Sequence, residues 1–357
     1  MLYYTLMHSS NENAPYPAVK TSIMRDPMLA PFCRVEFSAQ ELMAADPPIW
    51  RDDNKQLVAS ISCPPRARHA GTIGFTRWRQ RPLKDPFNSA DFRAQIEPRP
   101  GFFEYRPVTT PQTTVAWYLN FADLHLFGYY SGRLFAQDEM QVTEHPALGA
   151  VREALSKSDI APLTVENKLP TPALVTGVER RCAVATEPNA AANRPSGLYG
   201  NRFSSAPEEA VRKATRAIVP PTISNILAIA ALPGNSGEYT RDQILYILQT
   251  AVTGFSAAGI ESERLLPSIS EIQIHTGHWG CGAFGGNRVL MALLQILAAK
   301  LSEVNRLIFC YGDTSGLEPV QEAIQLLDKL LLTSNSLSGL LSKIVSQRFR
   351  WGVGDGN

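Results

Sequence analysis

Residues 270–313 read SEIQIHTGHWGCGAFGGNRVLMALLQILAAKLSEVNRLIFCYGD. Apolar and polar residues alternate over SEIQIHTG, the period of a strand. Five of the eleven residues in GHWGCGAFGGN, 277–287, are glycine. RVLMALLQILAAKL then reads as a helix and RLIFCYGD as a second strand. Strand, loop, helix and strand make a crossover unit, which implies a parallel sheet. Glycine permits positive φ and close approach of the backbone to a ligand. A loop that leaves a strand and opens a helix can aim backbone N–H groups at an anion, most naturally a phosphate or diphosphate. The spacing is neither GxGxxG nor GxxxxGK[ST], so neither a Rossmann nor a Walker site is supported. On the residues alone, a tight turn between core elements is an equal alternative.

Upstream, TTVAWYLNFA from position 113 is β-branched and aromatic and suits a buried strand. HPALGAVREALSKS reads as an amphipathic helix, and PALVTGV and ISNILAIAAL as buried strands. Between those strands lies ATEPNAAANRPSGLYGN, a loop. SSAPEEAVRKATRAI is expected as a helix capped by Ser205, with Pro207 and acids in its first turn. TRDQILYILQTAVTGF is expected as a helix with Gly254 near its end. EPVQEAIQLLDKLLLT and SLSGLLSKIVSQRF read as closing helices. The first ~110 residues are dense in proline and poor in helical periodicity. Their interleaved Trp50, Phe75, Trp78, Phe92, Phe102 and Phe103 argue for a folded, irregular layer rather than disorder.

The chain has 357 residues, 44% of them hydrophobic, enough for a large core. Thirty-four basic and 33 acidic residues give a net charge of +1, no global footprint for nucleic acid. No run of about eighteen apolar residues occurs, so no membrane-spanning helix is expected. The first residues, MLYYTLMHSSNENAP, lack the basic start and apolar core of a signal peptide. Five scattered cysteines without a CxxC give neither a disulfide framework nor a zinc site. The expectation is a monomer of a reducing compartment, cytoplasmic or exported by a specialised secretion system, with no membrane or direct nucleic-acid partner.

TGHWGCGAFGGN closely resembles the TGNWGCGAFGGD segment of poly(ADP-ribose) glycohydrolases, which carry an ADP-ribose-binding macrodomain. ALLQILAAKLSEVNRLIFCYGD resembles that family's next helix and strand. The resemblance runs from about 113 to the mid-320s. It implies an α/β fold: a macrodomain-like three-layer α/β/α sandwich with a mixed sheet. The chain then divides into an accessory region, 1–110, and a macrodomain with C-terminal helices, 111–357. By resemblance, Gly282, Ala283, Phe284 and Gly285 would line the diphosphate and its ribose, with His278 and Gly280 beside them. Tyr311 falls where the family places an aromatic on adenine; alone it would read as a core-edge aromatic. His278 replaces an asparagine of the family and Asn287 an aspartate.

FADLHLFGYYSGRLFAQDE, 121–139, resembles the family's F-A-N, triple glycine and Q-E-E at the same interval. TEHPALG resembles its N-P-E-L helix entry. Cleaving a ribose C1″–O bond passes through an oxocarbenium-like state, so an acid must protonate the leaving oxygen and a carboxylate must activate water. Glu139 matches the residue that does both. Asp138 would hold a ribose hydroxyl or orient Glu139, and Asp123, in place of asparagine, would act beside them. Crowded carboxylates should have at least one raised pKa. Ala122 and Gln137 complete this wall. Without the resemblance, Q-D-E would read as a solvated helix face.

Phe127, Gly128 and Tyr129 replace the triple glycine that closes over the terminal ribose. Two aromatics cannot allow the same backbone approach, so the loop must open, shift or present side chains. Gly128 and Tyr129 are still expected at the ligand. A single ADP-ribose on a protein side chain becomes a plausible substrate beside the polymer. Tyr199 is the candidate for the family's tyrosine clasp; the alternative is a loop tyrosine without a role. His145 reads as a helix-entry residue and His275 as a packed strand residue. Cys281 has no visible histidine partner and Ser131 is not in a nucleophile elbow. No metal and no cofactor are expected. The implied activity is release of ADP-ribose from ADP-ribosylated protein or polymer. The rivals are an ADP-ribose-binding module without turnover and an interaction protein.

Overall fold

The computed structural model describes residues 30–83, 85–89, 92–106, 113–302 and 304–356. In chain order the elements are β1 (Cys33–Ser38), α1 (Ala39–Ala45), α2 (Asp53–Ser62), β2 (Thr72–Arg77), β3 (Gln95–Arg99), β4 (Thr114–Ala122), α3 (Gln137–Glu144), α4 (Pro146–Ser156), β5 (Val165–Glu166), β6 (Leu169–Pro170), β7 (Ala173–Val184), α5 (Glu208–Ala214), β8 (Thr215–Ala230), α6 (Arg241–Leu265), β9 (Glu271–Thr276), α7 (Arg288–Leu301), β10 (Arg306–Cys310), α8 (Leu317–Leu331) and α9 (Leu337–Ser346).

An eight-stranded sheet runs in the order β1-β2-β7-β8-β4-β9-β10-β3. Strands β8, β4, β9, β10 and β3 are mutually parallel. Strands β1, β2 and β7 add an antiparallel half. The sheet is mixed, and β9-α7-β10 is the crossover unit expected from 270–313.

Side chains of β4 alternate between the two faces, as the period of a strand requires. Val115, Trp117 and Leu119 face one core, with residues of α6, α7, α8 and α9. Ala116, Tyr118 and Ala122 face a second core, with residues of α1, α3 and α4. Helices on both faces of a buried sheet make the expected three-layer α/β/α sandwich. A third cluster, around Val58, Phe135, Phe203 and Val211, joins α2 and α5 to the end of β7 at Cys182 and Val184. Helix α6 is long and apolar enough to cross a membrane by composition, but 61% of that window is buried inside the protein.

Three expectations change. Residues 1–110, expected as an irregular accessory layer, supply β1, β2 and β3 to the sheet itself, and helices α1 and α2. These helices start on ordinary caps: Ser38 accepts from the Glu41 amide at 3.5 Å and Asp52 from the Lys55 amide at 3.1 Å. The helix expected over 204–218 is shorter: Pro207 takes the cap position, not Ser205, and α5 ends at Ala214. Beyond it the β-branched Thr215, Ile218 and Val219 and the pair Pro220 and Pro221 favour extended backbone. Gly254 lies inside α6, which runs eleven residues further. A Cβ there would meet Ile229 Cγ2 at 2.9 Å, so the glycine marks close contact of helix with sheet rather than a stop.

Candidate active site

The parallel strands β4, β8, β9 and β10 end at Ala122, Ala230, Thr276 and Cys310. Ala122, Ala231, Gly277 and Tyr311 line one cleft of ≈ 1330 Å³. Ligands of open α/β sheets bind outside the carboxyl ends of parallel strands, where neighbouring connections diverge. Here β4 has β8 on one side and β9 on the other.

The first turn of α3 enters this cleft. Gln137 is held on β4: its Oε1 accepts the Phe121 amide proton at 2.8 Å and its Nε2 donates to the Leu119 carbonyl at 3.0 Å. Asp138 is 6% exposed, and its Oδ1 accepts from Asn120 Nδ2 at 2.9 Å. Glu139 is 3% exposed, and its Oε2 accepts from the Ala136 amide at 3.1 Å. This is the reach-back half of a capping box, since alanine has no side-chain acceptor to return the bond.

Burial, and then the neighbouring Glu139, raise the Asp138 carboxyl against the Asn120 hydrogen bond. Burial raises Glu139 too, opposed by the amides of Glu139 and Ala136 and by Lys55. Asp123 adds negative charge to both. Its Oδ1 accepts from the His125 amide at 3.1 Å.

The loop 277–287 forms another part of the wall. Gly280 and Gly285 have φ of 74° and 60°, the left-handed region that glycine tolerates. The loop closes on itself through Gly286 N–H to the Gly280 carbonyl at 2.9 Å. Trp279 anchors it, with Nε1 donating to the Ile229 carbonyl at 3.1 Å. Asn287 caps α7, its Oδ1 accepting from the Leu290 amide at 3.0 Å. His278 Nε2 donates to the Gly316 carbonyl at 3.0 Å, while its buried Nδ1 has no partner among the described residues.

Asp123, Asp138 and Glu139 line the cleft with Ala122, Gln137 and Tyr129. So do His278, Gly280, Gly282, Ala283 and Phe284, and also Tyr199 and Tyr311. Gly128 and Gly285 do not. Segment 352–355 lies over Gly285: the Gly352 amide donates to the Gly285 carbonyl at 2.7 Å, and a Cβ on Gly285 would sit 2.8 Å from the Gly354 nitrogen. The Tyr199 hydroxyl accepts from the Gln137 backbone, and burial pushes it up to about 12.

At the loop replacing the triple glycine, the two aromatics part. Phe127 keeps a glycine-type backbone, φ 52°, and its ring is fully buried in the second core. Tyr129 is 56% exposed and faces the cleft.

Sequence reasoning missed Lys55, Phe102 and Asp355. Phe102 and Asp355 line the cleft. Phe102 follows Gly101, which pairs with Gly312 beside Tyr311. The Asp355 carboxylate faces Gly282, where a Cβ would meet its Oδ2 at 3.2 Å. Lys55 lies beneath α3. It belongs to a buried stripe with Val58 and Ser62, a helical spacing present in the sequence.

His145 is a packed residue between α3 and α4. Its Nδ1 meets the Gln141 carbonyl at 2.9 Å and Nε2 the Ser224 hydroxyl at 3.0 Å, and burial and Arg180 push it down to about 3. His275 stacks on Tyr118 at 4.4 Å. Burial pushes the Cys281 thiol up to about 12, which argues against a thiolate nucleophile. Among the described residues, no cluster of three or more His, Cys, Asp or Glu side chains is placed to hold a metal ion.

The family described as "Poly (ADP-ribose) glycohydrolase (PARG), Macro domain fold" matches residues 192–318, from the loop of Tyr199 through the glycine loop to the start of α8. "Poly(ADP-ribose) glycohydrolase 2" of Caenorhabditis elegans is 33% identical over 90 residues, 25% of this chain. The chain spans 17% of the length of that relative. Among solved structures, the poly(ADP-ribose) glycohydrolase of Thermomonospora curvata bound to the inhibitor ADP-HPD is 15% identical, with a TM-score of 0.44, covering 81% of this chain and 96% of that one. The Deinococcus radiodurans enzyme in complex with ADP-ribose is 11% identical, with a TM-score of 0.38, covering 87% and 100%. Over residues 192–318, which hold the glycine loop and its crossover, the chain is similar to the PARG macrodomain family, and its mixed α/β sheet with helices on both faces is consistent with that fold.

Proposed function

We propose that the protein hydrolyses the ribose C1″ glycosidic bond of an ADP-ribosyl group. The observation that carries this reading is the buried Asp138 and Glu139 pair opening into the same cleft as the glycine loop. The loop would receive the diphosphate, and Tyr311 and Phe102 offer aromatic faces for adenine. Glu139, whose hold on a proton burial strengthens, would give that proton to the leaving oxygen as the C1″–O bond breaks and its electron pair stays on that oxygen. The resulting carboxylate would take a proton from water as the water oxygen bonds to C1″, releasing ADP-ribose. Asp138 and Asp123 would hold ribose hydroxyls and stabilise the positive charge that develops on the sugar.

Tyr129 stands in the cleft where the family has glycine, which favours a terminal ADP-ribose unit on a protein side chain over the long polymer. The same tyrosine supports a second reading, a module that holds ADP-ribose without turnover. Incubation with substrates each bearing one defined linkage, read by mass for released ADP-ribose, separates the two. Release from at least one protein linkage is expected. Binding of ADP-ribose with no release from any substrate would establish the second reading.

A further inference from the structure

We propose that Lys55 is a positioning residue: its buried ammonium holds the segment that leads from the ribose loop into α3 and sets a positive charge beside the acid pair of Asp138 and Glu139. The proposal rests on Glu139 being the acid and base of the reaction.

The side chain of Lys55 is fully buried. Its Nζ donates to the Tyr130 carbonyl at 2.7 Å and the Leu134 carbonyl at 2.6 Å. Those carbonyls belong to the segment that joins Phe127 and Tyr129 to the start of α3. One cation therefore ties to α2 the segment that runs from the loop facing the sugar to the start of α3. The ammonium also lies 5.9 Å from the Phe135 ring centroid, so its surroundings are partly apolar.

A buried lysine is costly unless its charge is used. The position belongs to the inward stripe of α2, where leucine or methionine would pack without that cost. The charged groups around it are Asp52 on its own helix, and Glu139 and Asp138 on α3. Burial lowers its pKa to about 8, and these three carboxylates resist the fall. When Glu139 passes its proton to the leaving oxygen it becomes a carboxylate, and the ammonium stabilises that charge. Its effect is therefore exerted through Glu139 and not on the substrate.

The test uses the full chain. Carboxyl ¹³C NMR should show the pair titrating about one pH unit higher in Lys55→Met, a tenfold rise in proton affinity, since a neighbouring cation favours the ionised form. Lys55→Arg should restore the wild-type midpoints. In turnover, Lys55→Met should lower kcat at least tenfold with KM within about threefold, and move the alkaline limb of the pH profile upward. If Lys55→Met does not fold, ¹⁵N titration of Lys55 Nζ decides: its midpoint should fall in Glu139→Gln, which removes a negative neighbour. Unmoved carboxyl midpoints in folded Lys55→Met, or an unmoved Lys55 midpoint in Glu139→Gln, would overturn the proposal. The titrations need no activity, so they stand even if the hydrolase reading fails.

Discussion

Glu139 accepts the Ala136 amide proton, and a glutamine oxygen can accept the same bond. Glu139→Gln should therefore leave the cleft intact while removing the transferable proton. Release of ADP-ribose should be abolished, with calorimetric affinity for free ADP-ribose within about tenfold, ~1.4 kcal/mol. Equal turnover by both proteins would refute the assignment. Asp138 gives a second test, through stability. Its carboxyl titrates higher in the folded chain than the ~3.9 of an unfolded aspartate, because it is buried beside Glu139. Between those two values the folded state holds the extra proton, so stability falls as pH rises through that window. An asparagine in its place does not titrate, and the amide oxygen can still accept from Asn120. Asp138→Asn should then be the more stable protein at pH 8, by about 1 kcal/mol or more, with the gap narrowing toward pH 4. Thermal denaturation at both pH values checks this; a pH-independent gap would contradict it.

At the scale of elements, the closeness of α6 to the sheet is fixed at Gly254. A methyl group there would press on Ile229, whose β-branched side chain has little freedom to move. Gly254→Ala should destabilise the protein by about 1–3 kcal/mol by overpacking, despite the higher helix propensity of alanine. Denaturant unfolding measures it, and a stabilised variant would show that the contact has room. The same glycine shows where sequence reading stops. The crossover unit was legible because the strand β9, the helix α7 and the strand β10 each carry an unbroken local pattern. The end of α6 was not, because a glycine that stops a helix and one that packs against a strand look alike until the strand is in place. Helix α5 stops short of its expected end for a related reason: Arg216 and Ala217 are compatible with either state, and pairing with β7 decides between them. Lys55 left a signal, an inward stripe with Val58, but its meaning depends on carbonyls some 80 residues away.

Across the whole molecule, proline density in the first ~110 residues conceals their part in the sheet. Strands β1 and β2 extend the antiparallel edge beyond β7, and β3 closes the opposite edge beside β10. Phe37, Leu42, Phe75 and Trp78 from this region are all buried. A chain of residues 111–357 alone would leave the edges of β7 and β10 unpaired and the acid pair without Lys55. It should show no cooperative thermal transition. A sharp transition at the wild-type temperature would instead support an independent domain beginning at 111.

The proposed activity requires residues 137–139 and residues 277–287 to meet around one nucleotide sugar. A crystal structure of Glu139→Gln with ADP-ribose tests it most directly. The diphosphate should lie on the glycine loop, adenine at Tyr311, and C1″ of the terminal ribose about 3–3.5 Å from the side chain at 139. ADP-ribose bound elsewhere, or lying on the loop with its ribose turned away from α3, would contradict it.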